Sequence, residues 1–293
     1  MPERPRTGAS LESLWSGSAG FPAPLWKMLR VLHRLPWPLG ERALGVVFVI
    51  KAFAKPDELR RALAWASAFA RGPRRWRLAF SALAMRGRFV ARGALIGMRS
   101  LDDILRQYTV VGQEHIRAAP GATILLGFHF GPPYSYIALR ATGRAVTLLG
   151  LKGIPDQWTQ GTWDRSGTDN QDLLITNDGV SRATMLHRAQ HVLRQGGTLY
   201  VTADTVKGVE GREAFRLPIH GRDVVVKSGW LALHRTTGAT VLPVLAHLHG
   251  RSVAVTIHPP LPMSDPEACR ATLEHLLVEY AGRFPEQCWS LAV

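Results

Sequence analysis

Two ionisable residues stand where α/β proteins do their chemistry. His129 lies in HFGPPY, directly after the apolar run ATILLGF, and Asp204 directly follows TLYVTA. A neutral imidazole takes a proton from a hydroxyl or amine. A carboxylate bound to it orients the ring and stabilises the imidazolium that forms. Taken singly, each has a plainer use: the histidine can cap a turn, and the aspartate can cap a turn or a helix. Placed together they form a proton-transfer pair. Gly131 lets backbone come close at the same turn, and a helix N-terminus after it favours developing negative charge. Arg182 opens the stretch after ITNDGVS. It is either a contact for a phosphate or a polarised carbonyl, or a solvated surface arginine.

The other chemistry-bearing residues make weaker patterns. His187 and His191 have i,i+4 spacing, but HRAQH lacks the glutamate of a zinc-protease helix. His247 and His249 fall on one face of a strand and are expected to pack or to face solvent. Cys269 and Cys288 support neither a disulfide framework nor a CxxC site. No Walker loop, GxGxxG or GxSxG elbow is present, so no cofactor is expected and an acyl-serine hydrolase is disfavoured.

The elements that must position His129 and Asp204 follow from periodicity. GATILLGFH, AVTLLG, LLITNDG, TLYVTAD, TVLPVLAHL and SVAVTIH read as short buried strands. PPYSYIALRAT and SRATMLHRAQHVLRQGG read as helices between them, the second presenting Ala183, Leu186, Ala189 and Leu193 on one face. DVVVKSGWLALHRTTG is expected as a further helix, and a last one spans roughly 265–283. Pro243 predicts that TVLPVLAHL is an edge or bulged strand. This alternation predicts an α/β fold: a largely parallel or mixed central sheet flanked by helices, with an N-terminal helical extension. Ligands in such sheets bind beyond the C-terminal strand ends, where His129 and Asp204 fall.

Before the sheet the chain differs. Residues 1–20 read as a mobile leader, 21–105 as a helical, basic, membrane-facing region, and 106–293 as the α/β core. Trp26, Trp37, Phe48, Trp76, Phe80 and Phe89 alternate with Lys27, Arg30, Arg34, Arg74, Arg77 and Arg88. Basic helices with aromatic anchors suit an anionic membrane surface, although aromatic residues also build ordinary cores. The formal net charge is +14, from 36 Lys+Arg against 22 Asp+Glu. Such a chain suits a negative partner: nucleic acid, anionic lipid or an acidic carrier. Helix-turn-helix, RRM and zinc-finger patterns are missing, which disfavours nucleic acid. No apolar run reaches the roughly 18 residues of a membrane span, and no apolar leader core is visible. The expected location is peripheral, on the cytoplasmic face of the inner membrane.

The order of GATILLGFHFGPP, the helix carrying Arg182, and LRQGGTLYVTAD resembles the lysophospholipid acyltransferase superfamily. More narrowly, it is similar to the lipid A biosynthesis (lauroyl/myristoyl) acyltransferases, which include the phosphatidylinositol mannoside acyltransferases. VVGQEHIRAA, TTGATVLPVLAHL and FPEQCWS resemble further stretches of that family. The resemblance implies transfer of an acyl chain from acyl-carrier protein or coenzyme A to a hydroxyl or amine of a lipid-like acceptor. It implies His129 as general base and Arg182 as a substrate contact; Tyr134 and Gly131, in the same turn, are expected as further substrate contacts. The family's His-x4-Asp/Glu motif is broken, because Tyr134 stands at the acidic position. A phenol with pKa near ~10 supplies no fixed negative charge to an imidazolium. Two alternatives follow: Asp204 supplies that charge, or the chain is a degenerate homologue that binds lipids or acyl carriers without turnover.

Overall fold

The structure is a computed structural model that describes residues 36–96, 105–132, 135–149, 174–175, 181–204, 213–288 and 291. The expected leader, 1–20, lies outside the described residues, as does Tyr134. The chain is α/β, with a mixed central sheet flanked by helices and an N-terminal helical region.

Among the described residues three helices come first: α1 (Trp37–Phe53), α2 (Pro56–Ala66) and α3 (Pro73–Ile96). Each begins with a proline in its first turn or at its first residue, where the missing N–H has no helical partner to lose. The core then runs β1 (Tyr108–Val111), α4 (Gln113–Ala118), β2 (Thr123–Gly127), a 3₁₀ segment (Ser135–Thr142), β3 (Val146–Leu149) and β4 (Leu174–Ile175). It continues with α5 (Arg182–Arg194), β5 (Thr198–Thr202), β6 (Glu213–Ile219), β7 (Arg222–Lys227), α6 (Gly229–Thr237), β8 (Thr240–His249), β9 (Ser252–Ile257), α7 (Pro266–Arg283) and a final 3₁₀ turn, Pro285–Gln287.

Among the described residues seven strands form the main sheet, in the order β1-β9-β8-β2-β5-β3-β4. Every neighbouring pair is parallel except the β8–β9 hairpin. Both faces are covered. On one, Ile124, Leu126, Leu199, Val201 and Val241 pack with Met185, Ala189, Leu193, Trp230 and Leu273 from the helices. On the other, Leu125, Tyr200, Leu242 and Val255 pack with Met85, Phe89, Ile116 and Leu139. Burial on two faces explains why TILLG is buried at every position and reads as a near-continuous apolar run instead of alternating. The N-terminal helices share this core, since Trp65 of α2 and Ala82 of α3 belong to the first cluster. A buried ion pair, Arg92–Glu41 at 2.7 Å, ties α3 to α1.

Several expectations need correction. DVVVK is not helical: it is β7, paired antiparallel with β6 in a separate hairpin. The turn His220–Gly221 carries positive φ at both residues (45° and 75°), the conformation that a tight two-residue hairpin requires. Helix α6 starts only at Gly229. PPYSYIALRAT forms a 3₁₀ segment from Ser135, not an α-helix. The buried face of α5 runs through Met185, Ala189 and Leu193, while Ala183 is exposed.

Pro243 does not mark an edge, because β8 lies between β9 and β2. Its carbonyl accepts from the His258 N–H, so it faces the β9 side where that ladder ends. A residue's N–H and C=O share one side of a strand, so the missing donor costs the β2 pairing nothing.

Candidate active site

Strands β2 and β5 are parallel neighbours in the register Thr123↔Thr198 through Gly127↔Thr202. The Ala203 N–H continues the ladder to the Gly127 carbonyl at 2.8 Å. One step further, this register sets Asp204 beside His129, two residues past the end of each strand. The main-chain N–H of His129 donates to both carboxylate oxygens, at 2.9 and 3.1 Å. The ring Nδ1 lies 3.1 Å from Asp204 Oδ1. A carboxylate only accepts, so Nδ1 carries the proton and the basic lone pair belongs to Nε2.

Flanking residues fix this geometry. Phe128 and Phe130 are both buried in the first core cluster, so the residue between them is turned away from it. The His129 side chain is 32% exposed, whereas that of Asp204 is 6% exposed. Asp204 is held by its own backbone too: it forms an isolated antiparallel bridge with Val226, and the Lys227 N–H donates to Ala203 O at 2.8 Å. The β6–β7 hairpin therefore braces the carboxylate from behind. Burial pushes the His129 imidazole toward neutrality. Hydrogen bonding to Asp204 and its negative charge outweigh that, and the pKa sits above the ordinary histidine value.

Tyr200 lies beneath the pair. Its phenol occupies the space that a side chain on Gly127 would take: a Cβ there would overlap the hydroxyl and the ring. Burial, and then the charge of Asp204, raise this phenol far above the usual tyrosine range, so it stays neutral. Its ring centroid is 5.5 Å from that of Tyr136.

The structure brings His129, Asp204 and Gly131 together. Gly131 (φ 74°) is packed so closely on the Ala246 carbonyl that a Cβ would overlap it. Its N–H donates to Gln287 O at 3.0 Å. The close approach that Gly131 permits is thus an approach of protein to protein. Arg182 is the first residue of α5, whose N-cap, Ser181, accepts from the Thr184 N–H; the arginine side chain lies outside the described residues. His247 stacks on Phe284 with centroids 4.2 Å apart, and His249 is exposed. Among the described residues no group of three or more metal-ligating side chains forms.

Tyr200 and Gln287 were not found as site residues from the sequence. TLYVTAD displays the tyrosine, but only the absence of a side chain at position 127 reveals where its ring goes. No protein-family model matches this chain, and no curated protein matches it. What fold and geometry define is therefore a class: an α/β sheet protein with a histidine–aspartate pair on the C-terminal ends of adjacent parallel strands.

Proposed function

We propose that the chain is a membrane-peripheral acyltransferase that moves an acyl chain from an acyl-carrier protein or coenzyme A thioester to a hydroxyl or amine of a lipid-like acceptor. The observation that carries this reading is the contact between His129 Nδ1 and Asp204. It supplies the negative charge that Tyr134 cannot. His129 Nε2 takes the acceptor's proton as its oxygen or nitrogen attacks the thioester carbonyl. The new acyl bond forms as the C–S bond breaks, and the imidazolium returns the proton to the departing thiolate. The thioester is already activated, so no acyl-enzyme is needed. Arg182 and Tyr134 are proposed as substrate contacts.

The peripheral placement is supported by α1. Leu39, Val46, Ile50 and Phe53 are exposed large apolar residues, and their spacing puts them on one face about 21 Å long. Phe80 continues the stripe, its ring 5.8 Å from Phe53 and 5.8 Å from the exposed Trp76. Exposed Arg74 and Arg77 lie on α3, Arg60 and Arg61 on α2, and Lys55 and Arg71 in the turns between the three helices. An apolar stripe with basic neighbours suits the surface of an anionic bilayer. Among the described residues no helix is long and apolar enough to cross one.

The test is transfer of a labelled acyl chain from acyl-carrier protein or coenzyme A to a lipid extract. Wild type is expected to transfer, and His129→Ala and Asp204→Ala to lose nearly all transfer. Undiminished transfer by His129→Ala refutes the mechanism. No transfer by wild type, with retained binding of acyl-carrier protein, would instead favour the binding homologue.

A further inference from the structure

Strand β8 outlasts its neighbour. Its pairing with β2 ends at Gly127↔Val244, where the β2 chain turns away toward His129. Since the Pro243 carbonyl faces β9, alternation turns Val244, Ala246 and Leu248 toward the side β2 has left. Past Val244, buried backbone groups need new partners there. Two side chains supply them for the Ala246 carbonyl and for both groups of Leu248. The Tyr280 hydroxyl donates to the Ala246 carbonyl. Gln287 Oε1 accepts from the Leu248 N–H at 2.7 Å, and Gln287 Nε2 donates to the Leu248 carbonyl at 2.9 Å. The amide of Gln287, 2% exposed, thus pairs with Leu248 as a strand residue would. The main-chain carbonyl of the same residue takes the Gly131 N–H at 3.0 Å.

We propose that Gln287 is a positioning residue for the histidine: its side chain grips β8 so that its carbonyl holds Gly131, and through that turn holds His129 against Asp204. The kinetic part of this inference rests on the acyltransferase reading; the positioning itself does not. Glutamine is the side chain the place requires. It must donate and accept at once, which a carboxylate cannot do and an apolar residue cannot begin to do. A second tie anchors the tail from the other side, where Trp65 Nε1 of α2 donates to Pro285 O at 2.8 Å.

The experiment follows the ring resonances of His129 through a pH titration by NMR in wild type, Gln287→Ala and Gln287→Glu. Acyl transfer is measured on the same samples. In Gln287→Ala the raised His129 pKa is expected to fall toward or below the ordinary value. Its kcat is expected to drop by roughly tenfold or more, with KM for the acyl donor within about twofold. Gln287→Glu keeps the acceptor for Leu248 and is expected to be intermediate. Asp265→Ala, which removes the N-cap of α7, is expected to lower the melting temperature without moving the His129 titration. A folded Gln287→Ala with an unchanged His129 pKa overturns the proposal. If wild type transfers no acyl chain, the titration still decides. If neither variant folds, hydrogen exchange on wild type decides: the Gly131 amide is expected to be as protected as that of Leu248, and exchange at the rate of an exposed loop sinks the idea.

Discussion

At the residue scale, Asp204 does more than orient a ring. It accepts from both the main chain and the side chain of one histidine, so its removal strands a backbone N–H as well. In Asp204→Asn burial acts without an opposing negative charge, and the His129 pKa is expected below 6.5. The pH–rate profile of wild type is expected to rise through an inflection above 6.5, because the base must be neutral. In the variant the inflection moves to lower pH, while the plateau falls by about a hundredfold or more. Stability follows the opposite trend. A histidine pKa raised in the folded state stabilises fully below 6.5 and loses that contribution as pH climbs through the raised value. Urea unfolding is therefore expected to show a larger gap between wild type and Asp204→Asn at pH 6 than at pH 9. Gly127→Ala is expected to cost about 1–3 kcal/mol by driving a methyl into the Tyr200 phenol. Tyr200→Phe is expected to recover part of the loss, which a double-mutant cycle would measure. His129 and Asp204 were legible in the sequence because a polar residue directly after an apolar run marks a strand end. Tyr200 and Gln287 were not, because the partners that give them meaning, Gly127 and Leu248, are distant in the chain.

At the element scale, the sequence separation of 75 between His129 and Asp204 equals the offset of the β2–β5 register. The pair needs no special loop to meet; strand pairing delivers it. This is why the buried strands, once read correctly from TILLG and TLYVT, already contained the site. The hairpin that braces Asp204 was missed for an equally physical reason. RDVVVK runs straight into a helical pattern, and three consecutive valines do not alternate visibly when one strand face meets the core and the other is half-covered. Their β-branching, together with a glycine after IH, was the available signal. The tie between α2 and the C-terminal tail belongs to this scale as well. Trp65→Phe keeps a ring but leaves the Pro285 carbonyl without its donor, and is expected to cost about 1–2 kcal/mol, read as a shift of the denaturant midpoint.

At the scale of the whole molecule, charge and apolar surface occur on the same helices. Both Ile50 and Phe53 project from the exposed face of α1. The double variant Ile50→Glu/Phe53→Glu is expected to lower affinity for anionic vesicles by about tenfold or more, with an unchanged melting temperature. Raised salt should weaken the wild-type interaction in turn. Vesicle flotation measures both, and equal binding by the two proteins would remove the docking role from this face.

Sheet order also bears on how the molecule comes into being. During synthesis β1 emerges before β2, yet among the described residues it pairs with β9 alone; β2 follows, and waits for β5 and β8. Among the described strands, the central sheet cannot close before β5, β8 and β9 have been made. Early segments must be kept from sticking to one another, by chaperones or by their own helices, until β8 and β9 leave the ribosome. A prematurely terminated product ending before β5 would contain orphan strands with open edges, and should be recovered as aggregate or cleared by proteolysis.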